Sequence, residues 1–598
     1  MKKSYYSLVA LLAAGNGVEL VAQQQDSTLV REMTIEKEYT PIVREADKIT
    51  RMPEVETPQT NKTKIEYAEP SLAATTKREV HTLEVGSVNT SYPFSNKKGY
   101  LTLAGGNYLT LKGDFGYRFL DTEKDLLRID LHHLSSSGKI KFDEDSWGKT
   151  RRKLNDDRIN LYYRHNFENL QLKTNVGYDY SHFNYYGRGE WGLEGEPGAA
   201  DYPAVYPSQS QKRFNLEFTL NTLHKQEWDY HIGFGFTGFS QKDPGINENA
   251  IAVSLGLGKN RESGWNFYTG LDVNMLVYGG ESEKYDWKTD GAFKNVGVVR
   301  ISPAFKYKNG SQLSAQLGVN ADLAFGVGPY VGIAPDFTFN WKMADHWAFY
   351  GALTGGISQY SLSNLAKEYR YYYNLHQNRN SYKIADLKLG IQSNAAAGFW
   401  FDIYAGMGYT LDEMFLMSNV QGSVLEEKTY WQNSLSGYTE DAFSWHLGVK
   451  MKYKFSNLLD LNLRLQHNGW SVKDDGVASY KPTWEIGSGI TLRPANKLTF
   501  DLTYDIKGGR KALLLLANAF FPTLVDGSLN VSEHPMSLTQ SVRKMDNIHQ
   551  MNLTANYRIC EAFTLNASLN NLLFRRQEVY YGMPDPGFNF MIGGTVRF

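Results

Sequence analysis

The sequence predicts an all-β protein, a transmembrane antiparallel β-barrel of about 22 strands, and three observations lead to this fold class. Apolar and polar residues alternate along one segment after another. Each alternating segment is about 12 to 16 residues long, which is enough to cross a bilayer at a tilt. The connections between the segments alternate between tight turns and long loops. A count of 20 or 18 strands stays open, because the first segment (99–105) is short.

The alternation is clear between residues 157 and 184. Ile159 and Leu161 alternate with Arg158 and Asn160, and the pattern starts again after a tight turn. Because successive side chains of a strand point to opposite faces, such a segment has one apolar face and one polar face. A soluble β-sandwich also alternates, but the strand length, the aromatic ends of the apolar faces and the uneven connections favour a barrel in an outer membrane.

The long connections are expected at one end of the barrel. The short turns at the other end are expected to face the periplasm, as in outer-membrane barrels generally. An even number of strands then returns both chain ends to the periplasm. The long connections are predicted at 138–156, 185–211, 278–292, 358–380, 411–440, 471–480 and 508–545.

The composition agrees with a barrel and excludes several other classes of protein. Aromatic residues make up 14% of the 598 residues, whereas hydrophobic residues as a whole make up only 42%. A barrel needs no large dry core, because half of each strand faces polar space. The net charge of −1 offers no basis for nucleic-acid binding. The single cysteine, Cys560, excludes a disulfide framework and a cysteine metal site, and no cofactor or metal is predicted.

The N-terminus predicts export, which together with the predicted barrel indicates the outer membrane of a Gram-negative cell. Residues 1–22 have a cationic start, an apolar run and a small-residue cleavage site, as a secretory signal peptide does. Residues 23–98 are predicted to be a charged, proline-containing periplasmic arm, disordered because residues 26–79 have no periodic apolar residues. Residues 99–598 are assigned to the barrel, in contact with membrane lipid. Within the arm, a docking segment for a periplasmic or outer-membrane protein partner is predicted at Ile35, Tyr39, Pro41, Ile42 and Val43, and a solvated linker is the alternative.

The last strand carries a predicted assembly signal. Alternate residues share one apolar face, and the face ends in an aromatic residue at the last position of the chain. This arrangement resembles the C-terminal signal that barrel-insertion machinery reads, which makes that machinery a predicted partner. The residues of the predicted signal are Phe590, Ile592, Val596 and Phe598.

Residues 551–598 resemble the C-terminal hairpins of TonB-dependent receptors. The matching features are the strand end at 570–574, the Pro586-Gly587 pair before the final strand, and the closing Phe598. The resemblance implies a barrel of 22 strands. Members of that family carry a folded plug domain before the barrel, whereas here the charged arm stands in that place. The arm and barrel together resemble plugless, receptor-like proteins of Bacteroidetes-type bacteria, so TonB-energised import is not implied.

Aromatic and cationic residues in the predicted loops are candidates for ligand binding. Rigid aromatic groups and guanidinium groups stack on sugars and flat ligands and dominate protein interfaces. Ordinary packing between loops is the alternative role of the same residues. The candidates are Arg188, Trp191, Tyr202, Tyr206, Tyr369, Arg370, Tyr371, Tyr372, Tyr373 and Trp431. The polar faces of the later strands predict a lumen of mixed charge, with Lys450, Lys452, Asp460, Arg464, Asp501 and Asp505.

The sequence favours a binding or transport protein over an enzyme. The GxGxxG pattern at 233–238 lies inside an alternating segment with no helix after it, so it does not predict a dinucleotide site. The first hypothesis is that a polar solute or glycan binds to the barrel and passes across the outer membrane. The alternative is a non-transporting scaffold subunit of an outer-membrane complex. A second alternative is a membrane hydrolase, which would need a Ser/His/acid set at the barrel rim.

Overall fold

The computed structural model describes residues 97–143, 147–188, 204–223, 227–260, 264–282, 287–288, 293–310, 312–373, 377–394, 397–425, 428–518, 523–525, 528–530 and 537–598. For some of these, Trp431 among them, only the backbone is described. The predicted signal peptide, nearly all of the predicted arm and the loop candidates Trp191 and Tyr202 lie outside the described residues. The predicted docking residues Ile35, Tyr39, Pro41, Ile42 and Val43 also lie outside them.

Twenty-two strands form one closed antiparallel barrel, as predicted from the alternation. Consecutive barrel strands pair with each other around the whole wall. The strands are β1 (Gly99–Gly106), β2 (Thr110–Asp121), β3 (Asp125–Lys141), β4 (Lys149–Asn166), β5 (Leu170–Asn184), β6 (Ser208–Thr222), β7 (Trp228–Gln241), β8 (Ile246–Lys259), β9 (Trp265–Gly279), β10 (Val296–Asn309), β11 (Leu313–Phe325), β12 (Val331–Ala344), β13 (Trp347–Ser358), β14 (Ser381–Ser393), β15 (Phe399–Leu425), β16 (Lys428–Phe455), β17 (Leu459–Val472), β18 (Trp484–Ala495), β19 (Leu498–Gly508), β20 (Ile548–Arg558), β21 (Phe563–Asn570) and β22 (Asn589–Arg597).

The barrel closes between its first and last strands. β1 pairs with β22 from Tyr100 opposite Arg597 to Gly106 opposite Met591. Closure satisfies the backbone N–H and C=O groups of both sheet edges, as a structure that spans lipid requires. The pairing confirms a count of 22 strands rather than 20 or 18.

The connections at one end of the barrel are short, and those at the other end are mostly longer. The longest run over 185–207, 359–380 and 509–547. Short connections also occur among the longer ones, at 107–109 and 242–245, so the alternation of lengths is less strict than predicted. We call the end with the longer connections the outer end, following the general orientation of outer-membrane barrels.

Short elements in the connections complete the fold. Helix α1 spans Leu362–Glu368, and a 3-10 turn spans Lys473–Asp475. Within the described part of the chain, no helix is long and apolar enough to cross a membrane. The additional short strands are Ala204–Val205, Glu281–Ser282, Trp287–Lys288, Lys511–Asn518, Thr523–Val525, Ser528–Asn530, Ser537–Lys544, Glu578–Tyr580 and Met583–Pro584.

The prediction of a long loop at 411–440 was wrong. β15 and β16 continue as a paired hairpin up to Leu425 opposite Lys428, past a bulge at Asp412. No proline lies in this part of the sequence, so no residue of it lacks the backbone N–H that strand pairing needs. The Lys511–Asn518 strand pairs in parallel with β15 and supports the extension on one side.

The outer surface of the wall is apolar, with aromatic side chains near the short turns. Leu131 on β3 and Ile159 on β4 are exposed on this surface, which in a membrane faces lipid. An aromatic girdle of this kind marks the border between hydrocarbon and water. Exposed aromatic side chains close to the short turns include Phe167, Trp228, Trp265, Trp341, Trp347 and Phe455.

The four residues of the predicted assembly signal lie on this outward face of β22. Phe590, Ile592, Val596 and Phe598 are all exposed. The ring of Phe598 stacks on Tyr117 of β2 with 6.2 Å between ring centroids. The placement leaves the four side chains accessible from the membrane, and their reading by insertion machinery stays a prediction.

Candidate ligand site at the outer mouth

The first part of the connection between β13 and β14, residues 359–373, folds into the outer mouth of the barrel. It begins with α1, whose N-terminus receives the carboxylate of Glu248 on β8. The carboxylate accepts hydrogen bonds from Ser361 Oγ (2.6 Å), Leu362 N (2.6 Å) and Ser363 N (3.1 Å). A buried acceptor at a helix N-terminus satisfies N–H groups that the helix leaves open. The helix is therefore tied to the barrel wall.

Tyrosines that follow the helix form the centre of an aromatic cluster. Tyr369, Tyr371, Tyr372 and Tyr373 are between 1% and 8% exposed. The ring of Tyr371 packs edge-on against Phe183 of β5, with 5.5 Å between centroids. Other members of the cluster are Tyr185, Tyr186, Leu365, Met414, Leu416, Leu435 and Met583. We call residues 369–373, with the side chains packed around them, the lid.

The lid is held on two sides of the mouth. On one side the terminal nitrogens of Arg370 donate to the two carboxylate oxygens of Asp156 on β4, each at 2.7 Å. On the other side the N–H of Tyr373 donates to the carbonyl of Leu435 on β16 at 2.7 Å, and the N–H of Leu435 donates to the carbonyl of Tyr371 at 2.9 Å. The lid therefore crosses the mouth from β4 to β16.

The structure brings only some of the predicted loop residues together. Residues 369–373 lie side by side. The four tyrosines among them are buried packing residues, and Arg370 forms an ion pair with Asp156. Arg188 lies beside the last connection, where its N–H donates to the carbonyl of Gly582 at 3.0 Å. Tyr206 lines a separate crevice of about 400 Å³. Trp431 lies far along the β15–β16 hairpin. A ligand-binding role for these residues stays a prediction.

A cavity of about 460 Å³ borders the lid. Strands β2 to β4 line one side of it, and β19 to β22 with the last connection line the other. Its aromatic lining includes Tyr369, Tyr480 and Tyr580. Cationic side chains outnumber anionic ones in the lining, so the cavity favours a ligand that carries negative charge. The charged lining residues are Arg152, Lys481, Lys507, Arg510 and Asp585.

Arg152 and Arg510, the two arginines of the lining, each have a buried Nε atom with no hydrogen-bond partner among the described residues. Arg510 uses its terminal nitrogens to donate to the carbonyls of Val579 (2.8 Å), Asp546 (2.9 Å) and Glu578 (2.9 Å). A buried donor that is left unsatisfied costs about 1–3 kcal/mol. Arg152 and Arg510 therefore each keep a donor that the described protein atoms leave unsatisfied.

Glu578, in the connection between β21 and β22, is a half-buried acid beside this cavity. Its carboxylate accepts from the N–H of Gly582 at 2.9 Å. Burial raises the pKa of Glu578 to about 7, although the Gly582 N–H and the charge of Arg510 oppose that rise. Burial also raises the pKa of Asp585 in the same connection. Both acids therefore hold their protons at a higher pH than exposed carboxyl groups do.

We expect the connection that contains Glu578 to lose stability as the pH rises from about 4.5 to about 7. The unfolded chain releases this proton near the ordinary pKa of 4.5, whereas the folded chain keeps it up to about 7, so folding opposes ionisation in this window. The shift corresponds to on the order of 3 kcal/mol. Hydrogen exchange over 571–588, corrected for its intrinsic rate, is expected to increase across the window in the wild type and to increase less in Glu578→Gln, in which Asp585 still has a raised pKa. Exposed Glu561→Gln is the control, and a level response in the wild type would contradict the prediction.

The predicted lumen charges lie on the inner face of β16, β17 and β19. Several of them have partners on the wall: Asp460 accepts from Arg493 at 2.6 Å, and Asp501 accepts from Thr491 at 2.7 Å. The ammonium group of Lys450 lies over the ring of Tyr404, with 4.9 Å between Nζ and the ring centroid. The six residues, Lys450, Lys452, Asp460, Arg464, Asp501 and Asp505, are thus spread along the wall rather than gathered in one site.

Sequence reasoning missed most of the residues that line the cavity. Arg152 lies within a strand, and Tyr480 and Tyr580 lie in connections. Strand periodicity identifies the face of a strand, but it does not show which connections fold back into a lumen. The adjacent tyrosines at 580–581 could have indicated a connection that folds into the lumen, as the tyrosines at 371–373 do.

No family model and no curated protein matches the chain. In the stretches that the structure describes, no group of three or more His, Cys, Asp or Glu side chains is placed to hold a metal ion.

Solved structures match the fold at low identity. The pyoverdine receptor FpvA from Pseudomonas aeruginosa, bound to pyoverdine, is 10% identical with a TM-score of 0.58, over 85% of this chain and 79% of that one. The siderophore receptor PirA from the same organism is 10% identical with a TM-score of 0.53, over 85% and 81%. The copper transporter OprC is 12% identical with a TM-score of 0.55, over 85% and 82%. The chain therefore has the 22-strand barrel fold of outer-membrane TonB-dependent receptors.

Proposed function

We propose that this protein is an outer-membrane receptor-like barrel that binds a polar, anionic solute at its outer mouth and lets it pass across the membrane. The cavity beside the lid carries the proposal, because Arg152 and Arg510, each with a buried and unsatisfied Nε atom, both line it. The fold supports it as well, since receptors for pyoverdine and siderophores share this barrel. A glycan with acidic groups would fit the same description.

The absence of a plug and independence from TonB stay predictions. They rest on the charged, unpatterned sequence of residues 26–79. The same residues are the predicted contact for a protein partner. Localisation to the outer membrane rests on the fold and on the apolar, aromatic-girdled wall.

The lid favours a second candidate function. A cluster of tyrosines that crosses the mouth and is nearly inaccessible to solvent would suit a scaffold subunit that conducts nothing. Single-channel conductance separates the two functions, because a scaffold stays closed at every voltage, whereas a transport barrel opens when the lid moves.

We expect Arg152→Gln and Arg510→Gln each to weaken binding of an aromatic anion by at least about tenfold. Loss of one charge-assisted hydrogen bond is worth about 1.5–3 kcal/mol, which sets this magnitude. The probe is phenyl phosphate, titrated by calorimetry against the full-length barrel in lipid nanodiscs. Lys454→Gln, an exposed lysine near a short turn, is the matched control and is expected to bind as the wild type does. Equal binding by the wild type and both arginine variants would contradict the site.

A further inference from the structure

A serine, a histidine and an aspartate form a continuous hydrogen-bonded chain on the outside of the barrel. On β3, Nε2 of His133 lies 3.1 Å from Oγ of Ser135. Across to β4, Nδ1 of the same ring lies 2.7 Å from Oδ1 of Asp157. The other oxygen of Asp157 accepts from Nδ2 of Asn155 at 2.7 Å. This is the connectivity of a nucleophile, a general base and an orienting acid.

Strand pairing places this set at the upper border of the lipid-facing surface. His133 pairs with Asp157, and the next outward-facing rung toward the short turns pairs Leu131 with Ile159, both exposed and apolar. Leu111, exposed on β2, pairs with Ser135. Polar side chains beside an exposed apolar surface lie where headgroups meet hydrocarbon in the outer leaflet. The ester bonds of membrane lipids lie at the same depth.

The side chains are accessible from the membrane side. His133 and Asp157 are each 43% exposed. The neighbour of His133 on β2 is Gly113, where an added Cβ would come no closer than 3.7 Å to Leu103 and 3.9 Å to Cβ of His133. Glycine therefore leaves space beside His133, and Leu103 and Leu111 offer an apolar border along which an acyl chain can lie.

Three other histidines of the wall that bind a polar side chain differ from this one. His132 of β3 binds Asp114 of β2, but it precedes the lipid-facing His133 in the strand and therefore faces the lumen. His165 binds Asp125 near the short turns, in a pair that also takes the Tyr163 hydroxyl rather than a serine. His231 lies between Asn221 (2.6 Å) and Ser254 (2.9 Å), but its strand presents Tyr230 and Ile232 to the lipid, so His231 faces the lumen. Within the described residues, the set at His133 thus combines a serine, a carboxylate and access from lipid.

We propose that Ser135, His133 and Asp157 hydrolyse the ester bond of an acyl chain in an outer-leaflet lipid. Ser135 Oγ attacks the ester carbonyl carbon while His133 Nε2 takes the hydroxyl proton, and Asp157 stabilises the imidazolium through Nδ1. Collapse of the tetrahedral intermediate breaks the ester C–O bond, and His133 gives its proton to the departing alcohol oxygen. A water molecule, activated by His133, then attacks the acyl-serine, which releases the fatty acid and restores Ser135.

The test measures fatty-acid release by the purified full-length barrel in lipid vesicles. One set of vesicles contains phosphatidylethanolamine and phosphatidylglycerol, and a second set also contains lipopolysaccharide, so that the source of the acyl chain is distinguished. Ser135→Ala and His133→Ala are each expected to lower release at least about 100-fold, and Asp157→Asn at least about tenfold. Ser254→Ala removes the comparable His–Ser contact in the lumen and is expected to stay within about twofold of the wild type.

A second measurement does not depend on turnover. A fluorophosphonate probe is expected to add to Ser135 in the wild type, as read by peptide mass spectrometry, and not to His133→Ala. Heat-modifiable gel migration checks that each variant is a folded barrel. Absence of fatty-acid release from both vesicle sets, or release that persists in folded Ser135→Ala, would overturn the proposal.

Discussion

Simultaneous replacement of Tyr369, Tyr371, Tyr372 and Tyr373 by serine is expected to convert a closed barrel into a conducting one. Truncating a buried aromatic side chain costs about 3–5 kcal/mol. Each such loss exceeds the energy of about 1.5–3 kcal/mol per charge-assisted hydrogen bond through which Arg370 holds the lid. We therefore expect the closed population to fall by at least about 100-fold, measured as single-channel conductance in planar bilayers.

Two control variants sharpen the conductance experiment. Phenylalanine at the same four positions keeps the ring packing and is expected to leave the barrel closed. Tyr330→Ser removes an exposed aromatic side chain from a short outer connection and is expected to have no effect. A serine variant that stays closed at all voltages would contradict the assignment of the lid as the closing element, and it would favour the scaffold function.

Asp322→Ala is expected to cause the largest loss of stability from a single substitution. Asp322 on β11 is fully buried and accepts from Nε (2.6 Å) and Nη2 (3.0 Å) of Arg300 on β10. It also accepts from the N–H of Ile357 at the outer end of β13 at 2.6 Å. Removal of the carboxylate leaves a buried guanidinium without its counter-ion, which costs about 3–5 kcal/mol. Urea unfolding of the barrel in lipid vesicles measures the change.

The exposed pair Lys342–Asp345 offers the matched control. The two side chains are 42% and 92% exposed, and the pair lies at a short turn. Exposed pairs contribute little because water and salt screen them. Asp345→Ala is therefore expected to change the free energy of unfolding by less than about 0.5 kcal/mol. Equal effects of the two substitutions would show that the buried pair has no special weight.

Strand pattern and strand number were predictable because the membrane imposes a period of two. On β4, Ile159 and Leu161 must face lipid, and their neighbours in the chain then face the lumen. That constraint acts on every strand of the wall, so it leaves a signal that a single sequence shows. The GxGxxG pattern at 233–238 was correctly interpreted as part of a strand, because these residues lie within β7.

The connections were less predictable because no such period governs them. Tyr371 was selected as a ligand-binding candidate, but its surroundings are formed by Phe183, Tyr186 and Met583, which lie in distant parts of the chain. Only the fold shows that these residues meet. The extension of β15 and β16 through 411–440 was missed for a related reason, since loop length was inferred from the spacing of the membrane-spanning segments.

The pairing of β1 with β22 has a consequence for the rate at which the molecule forms. The ends of the barrel meet through contacts such as that of the Lys97 ammonium with the Arg597 carbonyl, 500 residues apart in the chain. Contacts between residues so distant in sequence come late, because the entropy of loop closure must be overcome before they stabilise anything. Until β1 and β22 pair, both edge strands expose unpaired backbone amides. In water these amides can pair with other chains, and in lipid each unsatisfied group raises the free energy. Slow unaided refolding, with aggregation as its competitor, is the kinetic counterpart of a sheet that has no edge once it is complete.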